Sequence, residues 1–176
     1  MRAMYLMISL QQGEPYAGWA DQYTVDDLKP AHARSYEPRS VNTGTTVRLV
    51  NLMMDYYKLT ADTRFLSGIP AAIRFLESMK LPESDVKKWK SQSTNPEAIL
   101  VPRFVDPDTG KPLYVHRKGS NVKNGTYYID QNIENTIAHY NSATFVNPGE
   151  LRRRYEEVKK LPVSELAKNS PLLPDH

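Results

Sequence analysis

The sequence predicts a mainly α-helical fold, built from antiparallel helical hairpins, with one small β-hairpin. Ser40 to Leu59 carries apolar side chains at helical spacing on most of its faces, which is typical of a helix buried between others. Thr63 to Lys80 repeats the pattern after so short a turn that the two helices must lie antiparallel. Ile99 to Val105 and Pro112 to Arg117 are strand-like and flank Asp-Pro-Asp-Thr-Gly, a turn composition.

The second long helix carries signals for its own boundaries. Asp62 suits its N-cap, since a carboxylate there accepts a hydrogen bond from a free backbone N–H. Pro70 removes a backbone donor and should kink this helix or split it in two. The other expected elements are a helical turn at Val25 to Lys29, a third strand at Gly125 to Ile129, a candidate helix at Asn132 to Tyr140, a charged helix at Gly149 to Leu161, a turn at Ser164 to Lys168 and a loose tail at 170–176.

The opening residues predict a helix rather than a targeting segment. Met1 to Leu10 carries one charge, and its apolar side chains share one helical face. The run continues into two glutamines without a small-residue cleavage site, so a signal peptide is not favoured. No segment of the sequence approaches the length of a membrane span.

The composition is that of one globular domain without cysteine chemistry. The chain has 176 residues, of which 40% are hydrophobic and 24% charged, and we expect a single domain over residues 1–176. It contains no cysteine, which excludes disulfides, thiolate catalysis and cysteine-ligated zinc. The net charge of +3 permits an acidic partner without indicating one.

Neither the histidines nor the longest basic run predicts a site. His32, His116 and His139 are far apart in sequence and show no zinc-ligand spacing. Arg152 to Arg154 is followed by two glutamates within helical reach, which indicates a solvated helix face rather than a nucleic-acid surface. We therefore expect no nucleic-acid partner.

A group of aspartates raises the question of calcium. Asp106, Asp108 and Asp130 offer the hard oxygen ligands that calcium prefers. Two of them lie within Asp-Pro-Asp-Thr-Gly, however, which is also an ordinary turn composition, and the turn is the favoured interpretation.

The most informative stretch is Lys29 to Pro38, Lys-Pro-Ala-His-Ala-Arg-Ser-Tyr-Glu-Pro. It places two cations and a phenol between prolines, in an irregular segment just before a buried helix. A core excludes cations such as Arg34, and a solvated loop has no need of Tyr36 beside them. Arg34 can pair with Glu37, which would fix the direction of its guanidinium. The residues alone leave a functional site and a structural ion pair equally open.

This stretch, with Gly-Trp-Ala-Asp-Gln-Tyr at residues 18–23, resembles the family ten polysaccharide lyases, which are pectate lyases with an (α/α) toroid. In that family a tryptophan, a small residue and a glutamine precede a loop of the form Lys-Pro-Ala-x-Ala-Arg-x-Tyr-Glu-Pro. The family's later β-hairpin region is matched more loosely, and the resemblance covers most of Met1 to about Tyr140. The looser matches are Arg103-Phe104, Lys111 to Tyr114 and Arg117 to Gly119.

The resemblance implies a partial toroid and β-elimination on α-1,4-polygalacturonate, an acidic polysaccharide. Arg34 matches the family's catalytic arginine, whose role is the Brønsted base. Arginine is protonated in almost every setting, so a purely electrostatic role for this residue stays open. The resemblance also implies calcium as a cofactor and a secreted or periplasmic location. The residues expected to bind substrate are Trp19, Gln22, Lys29, Tyr36 and Arg103.

The sequence also departs from the family pattern. Val41 to Thr46 stands where the family has a serine- and glutamate-containing helix start. The motifs of the family's earlier half, which are associated with calcium, are not found, so no metal ligand is assigned. We expect this chain to be the later part of a catalytic domain, with the missing half as a partner.

Two functions other than a lyase stay open on the sequence. One is a non-catalytic sugar-binding module, and the other is a helical interaction module whose apolar Val47 to Tyr57 segment packs on a partner. A lyase should present Arg34, Lys29 and Trp19 on one concave surface. An interaction module has no reason to gather them.

Overall fold

The computed structural model of the protein describes residues 2–119, 126–138 and 141–172. Within them, no helix is both long enough and apolar enough to cross a membrane. The helices are α1 (Arg2–Ser9), α2 (Thr43–Thr60), a 3-10 turn (Thr63–Leu66), α3 (Ile69–Ser78), α4 (Glu83–Lys88), α5 (Pro148–Lys159) and α6 (Val163–Asn169). The strands are β1 (Val41–Asn42), β2 (Ile99–Pro102), β3 (Phe104–Val105), β4 (Pro112–Lys118), β5 (Thr126–Asp130) and β6 (Ala143–Val146).

Two antiparallel sheets stand beside the helices. One has the strand order β1-β3-β4-β5, and the other pairs β2 with β6. The chain passes from the second sheet to the first at Arg103, which lies between β2 and β3. Backbone pairing of Val41 with Val105 then connects the start of the longest helix, α2, to the four-stranded sheet.

The expectation of a mainly α-helical, partial toroid of helical hairpins is wrong. Among the described residues 40% are helical and 17% are in strands, and the strands form sheets of four and two. The β-hairpin around Asp106–Gly110 does form, from β3 and β4, but β1 and β5 extend it on both sides. Since β1 has only two residues and β6 pairs with a strand far upstream, neither leaves a local periodicity that marks a sheet.

The helices share one hydrophobic core around α2. Val50, Met53, Met54 and Tyr57 of this helix are buried, and they pack with residues of α1, α3 and α5. The apolar face that an interaction module would offer to a partner is therefore already covered within the chain.

Local sequence signals predicted boundaries of the helices that follow α2. Asp62 caps the 3-10 turn by accepting from the backbone N–H of Arg64, and the chain then breaks so that α3 begins at Ile69 with Pro70 in its first turn. The predicted capping and splitting are thus confirmed. The helix predicted for the opening residues is α1, and the predicted third strand is β5. The predicted charged helix and the turn after it are α5 and α6. These predictions are confirmed within the described residues.

Two predicted helical segments are wrong. Residues 25–27 form a turn inside a hairpin-like loop, in which the Thr24 N–H donates to the Lys29 carbonyl at 2.9 Å. Residues 132–138 form turns held by side chains such as Asn132, which accepts from the Glu134 N–H at 3.0 Å. The rest of that predicted helix, His139 and Tyr140, lies outside the described residues, as do residues 173–176 of the tail.

The basic run on α5 is paired across elements rather than along its own helix. Arg152 lies 2.6 Å from Glu77 of α3, Arg153 lies 2.8 Å from Glu97, and Arg154 donates to Asn51 of α2 at 2.6 Å. These contacts hold α5 against α2 and α3 and against the segment just before β2.

Gly18 lies where three elements approach most closely. A Cβ at this position would lie 2.6 Å from Val41 Cγ1 and 2.7 Å from Phe75 Cε1, and closer still to Thr46 Oγ1. We expect Gly18→Ala to lower the free energy of unfolding by about 3 kcal/mol, because these buried neighbours have no room to move. Gly13→Ala is the matched control, since no atom lies within 4 Å of its added Cβ. Equal denaturation midpoints for the two variants would contradict this account of the junction.

Asp62 ties α1 to the turn after α2, and this contact should make stability depend on pH. The Arg64 guanidinium lowers the pKa of Asp62 to about 2, and Tyr5 also donates to this carboxylate at 2.9 Å. The folded pKa lies below the ordinary value of 3.8, so the contribution is present above about pH 4 and is lost as the pH falls toward 2. Asp62→Asn keeps the capping oxygen but removes the charge. Its destabilisation, measured by urea unfolding, should be largest near pH 5 and decline as the pH falls through 2, and a pH-independent loss would contradict the assignment.

Candidate functional site

The loop that carries Arg34 is closed by a tight turn. The Glu37 N–H donates to the Arg34 carbonyl at 2.9 Å, and the Arg34 N–H donates to the Glu37 carboxylate at 3.1 Å. The Ala33 N–H also donates to the Glu37 carbonyl, at 3.2 Å. This turn chemistry explains why the spacing from Arg34 to Glu37 fixes both side chains in one place.

The guanidinium of Arg34 is exposed but oriented. Its side chain is 70% exposed, its Nη1 donates to the Tyr36 hydroxyl at 3.0 Å, and its Nε lies 4.0 Å from the Glu37 carboxylate. The predicted pairing of Arg34 with Glu37 is therefore confirmed, at the long end of the range for an ion pair. A nearby carboxylate favours the cationic form of an arginine.

Tyr36 anchors this loop on the four-stranded sheet. Its ring lies edge to face with that of Tyr127 at 5.5 Å and packs against the buried cluster of Phe104, Val115 and Ile137. The ring of Tyr36 is thus half-buried, and its hydroxyl reaches the surface beside Arg34. Because this packing holds the Tyr36 ring in place, its hydroxyl keeps the exposed Arg34 guanidinium in one direction.

A cavity of about 330 Å³ opens beside Glu37, at the first turn of α2. It combines two guanidinium groups, two carboxylates and the N-terminal end of a helix, which favours negative charge. Its lining residues are Asp21, Glu37, Asn42, Gly44, Arg48, Arg103 and Thr144. Of the residues expected to bind substrate, Arg103 is the one that lines it.

Arg103 is held by its backbone between three elements. Its carbonyl accepts from the Thr43 N–H at 3.0 Å, at the start of α2, and its N–H donates to the Ser142 carbonyl at 2.8 Å, next to β6. The connection from β2 to β3 therefore positions Arg103 at the cavity.

A polar network lines the opposite wall of the cavity. The Asp21 carboxylate accepts from Asn42 Nδ2 at 2.6 Å and, in a short contact, from the Thr45 hydroxyl. Arg48 donates to that hydroxyl at 2.8 Å, and Asn42 caps α2 by accepting from the Thr45 N–H at 3.1 Å. The sequence interpretation missed these residues, although Asn-Thr-Gly-Thr before a helical pattern is an N-cap signal that would have located the wall.

The other residues expected at the site lie elsewhere. Trp19 is 1% exposed and its indole N–H donates to the Met7 carbonyl at 2.7 Å, so it is part of the core and does not lie on a concave surface with Arg34. Lys29 lies near the tip of the loop after Trp19, 3.0 Å from Asp27. The backbone carbonyl of Gln22 closes the base of the same loop by accepting from Ala31 at 2.9 Å. Among the described residues, neither Lys29 nor Gln22 lines the cavity.

The loop that holds Lys29 is fixed to the core by Tyr23. The Tyr23 hydroxyl donates to the Leu10 carbonyl at 2.9 Å and accepts from the Ala20 N–H at 2.7 Å. Burial raises the pKa of Tyr23 to about 12, so the hydroxyl remains a neutral donor over the physiological range. This anchor sets the distance between the Lys29 loop and the cavity.

The described residues do not fit a calcium ion. They contain no group of three or more acidic or histidine side chains arranged for a metal. Both Asp21 oxygens already accept hydrogen bonds, and two guanidinium groups border the cavity. Asp106 accepts from the N–H groups of Asp108 and Thr109 at 2.8 and 2.9 Å, which is the turn that the sequence favoured.

The cavity is a polar site that combines two guanidinium groups, two carboxylates and hydrogen-bonding side chains at the start of α2. A comparison with models of protein families matches pectic acid lyase over residues 4–141. The match spans more than half of the chain, so the chain belongs to the pectic acid lyase family. A search of curated protein sequences found no match.

Asp21 should be important to the cavity wall although it is itself exposed. Asp21→Ala leaves Asn42 and Thr45, which are 3% and 8% exposed, without their acceptor. We expect a loss of about 1–3 kcal/mol in the free energy of unfolding, because buried donors are left unpaired. Asp26→Ala, in the same loop, removes the same charge but none of these bonds and serves as the control. A denaturation midpoint unchanged in Asp21→Ala would contradict the network.

Proposed function

We propose that this chain is a pectic acid lyase of the family ten type, which cleaves α-1,4-polygalacturonate by β-elimination with Arg34 as its catalytic residue. The observation that supports it best is the exposed Arg34 guanidinium, oriented by Tyr36 on the same tight turn as Glu37, which lines the cavity. It lies within the part of the chain that matches the pectic acid lyase family. Export from the cell is part of this proposal, because pectic polymers are extracellular.

The reaction requires that charge on the substrate be offset. The proton to be removed is α to the uronate carboxylate, and the glycosidic oxygen leaves from the neighbouring carbon. That proton is weakly acidic, and negative charge builds on the carboxylate as it departs. Arg103, Arg48 and the first turn of α2 all present positive charge or dipole to the cavity, which suits stabilisation of this enolate-like charge.

Arg34 is the proposed Brønsted base. It shares its tight turn with Glu37, which lines the cavity, and Tyr36 holds the guanidinium in one direction. Because Glu37 favours the protonated form, proton abstraction requires alkaline conditions or a further cation nearby. The ring of Tyr36 is the proposed sugar contact, and Lys29 and Gln22 are proposed contacts for more distant residues of the polymer.

Calcium stays within the proposal, with its ligands outside the described residues. When bound, it would help to offset the charge of uronate carboxylates. The roles proposed for Arg34, Arg48 and Arg103 rest on their own positions.

A saccharide-binding module without turnover is the second candidate function. It is favoured by one observation: the Glu37 carboxylate near Arg34 favours a charged guanidinium, which can bind an acidic sugar but cannot act as a base. Such a module would still use Arg103 and the cavity to bind an acidic sugar. The helical interaction module is disfavoured, because the apolar side chains of α2 are in the core.

The experiment that separates these functions is a lyase assay on the intact chain. Ultraviolet absorbance of the unsaturated product should rise when the chain acts on polygalacturonate at alkaline pH with calcium. We expect Arg34→Ala to lower the rate at least about 100-fold, since it removes the base. Arg39→Ala is the matched control: it removes an exposed cation of the same loop, one that pairs with Asp108 at 2.7 Å.

The outcomes distinguish the two functions. A folded chain that binds polygalacturonate but releases no unsaturated product would replace the lyase with the binding module. Equal rate losses in the two arginine variants would show that overall charge, and not the position of Arg34, drives the reaction.

A further inference from the structure

We propose that a second groove, between α4 and the loop at residues 131–138, binds carboxylates of the same acidic polysaccharide outside the Arg103 cavity. This surface, the α4 groove, has a volume of about 300 Å³. The residues that the argument uses are Lys88, Trp89, Lys90, Glu134, Asn135 and Thr136. The choice of ligand rests on the proposed function, whereas the groove itself rests on the contacts that follow.

One wall of the groove is rigid because it belongs to the core. Trp89 is 7% exposed and packs with Leu100, Tyr114 and Ile133. Its backbone N–H ends α4 by donating to the Asp85 and Val86 carbonyls. Because Trp89 is held in this way, the backbone positions of Lys88 and Lys90, which flank it in sequence, are fixed as well.

The floor of the groove is held by a buried histidine. His116 is 4% exposed; its Nδ1 lies 3.2 Å from the Asn135 carbonyl and its Nε2 lies 2.7 Å from Asp130. Asn135 adopts a left-handed conformation, with φ of 59°, which asparagine tolerates better than most residues. The loop is further pinned where the Ile137 N–H donates to the Val115 carbonyl at 3.1 Å. The groove is therefore preformed.

The two lysines are available for a bound anion. The Lys90 ammonium lies over the Trp89 ring, 5.3 Å from its centroid, which places its charge at the groove. Lys88 lies 3.4 Å from Glu134, and both side chains are about half exposed. A pair so exposed contributes little, so a ligand carboxylate can replace Glu134 as the partner of Lys88 at small cost.

The groove continues toward the Arg34 loop. A second cavity of about 300 Å³ shares Asn135 and Thr136 with it and adds Arg117. Ile137, in the wall of that cavity, packs with Phe104, against which Tyr36 also lies. The second cavity thus adds a further cation, Arg117, beside the groove, and the repeated carboxylates of a long acidic polymer suit a row of separated cations.

The chain contains its own reporters for a test. It has two tryptophans: Trp89 lines the groove, whereas Trp19 is buried and donates to Met7. In ¹H–¹⁵N spectra of the intact chain, titration with oligogalacturonate should shift the Trp89 indole signal and leave that of Trp19 in place. The loss of one signal in Trp89→Phe assigns the two. A neutral galactan oligomer and sodium phosphate are the control ligands.

The lysines are tested by removal of their charge alone. Lys88→Gln with Lys90→Gln keeps the side-chain stems, and we expect it to weaken oligogalacturonate binding about three- to tenfold at low ionic strength. Lys87→Ala with Lys168→Ala removes the same net charge from exposed lysines that, among the described residues, do not line the groove.

Each outcome decides the proposal. A Trp89 shift with oligogalacturonate, together with weaker binding in the glutamine variant alone, supports it. An equal shift with neutral galactan or phosphate, or equal weakening in both double variants, overturns it. Lyase activity lost in Arg34→Ala with unchanged binding in the glutamine variant would sink this inference and leave the proposed function standing. Lyase activity retained in Arg34→Ala, together with weaker binding in the glutamine variant, would sink the proposed function and leave this inference standing.

Discussion

The structure depends on one junction, where the chain enters α2. The Asn42 N–H donates to the Trp19 carbonyl at 2.8 Å, and the Thr43 N–H donates to the Arg103 carbonyl at 3.0 Å. These two bonds join the Trp19 segment, the longest helix and the sheet within two residues. Because the neighbours of Gly18 leave no space for even a methyl group, the junction has a single geometry. The cavity, Arg103 and the Arg34 loop are all placed by it.

The same junction concentrates charge. A helix N-terminus, two guanidinium groups and two carboxylates meet in one small cavity. The carboxylate of Asp21 is occupied by hydrogen bonds from Asn42 and Thr45, so it stabilises the wall more than it repels an incoming anion. The positive charge of the cavity comes from Arg103 and Arg48, since the Thr43 and Thr45 N–H groups at the start of α2 are already bonded within the chain.

The features that could be predicted from the sequence depend on residues that are close together in the chain. The Asp62 cap, the break at Pro70 and the turn that pairs Arg34 with Glu37 depend on residues a few positions apart, and each was predictable. The sheets depend on pairings between distant segments, such as Val41 with Val105, and no window of sequence contains both partners. Trp19 shows the same limit: its motif was visible, but only the helix packed around it makes it core rather than surface.

The contact that fixes Arg34 also opposes its proposed chemistry. Glu37 and the Tyr36 hydroxyl both accept from this residue, and an acceptor of partial or full negative charge stabilises the guanidinium cation. A substrate carboxylate adds a further anion and strengthens this preference. Arg48 and Arg103 both line the cavity, and Arg48 donates to the Thr45 hydroxyl. Arginine is a cation in almost every setting, and the contacts with Tyr36 and Glu37 stabilise that form of Arg34.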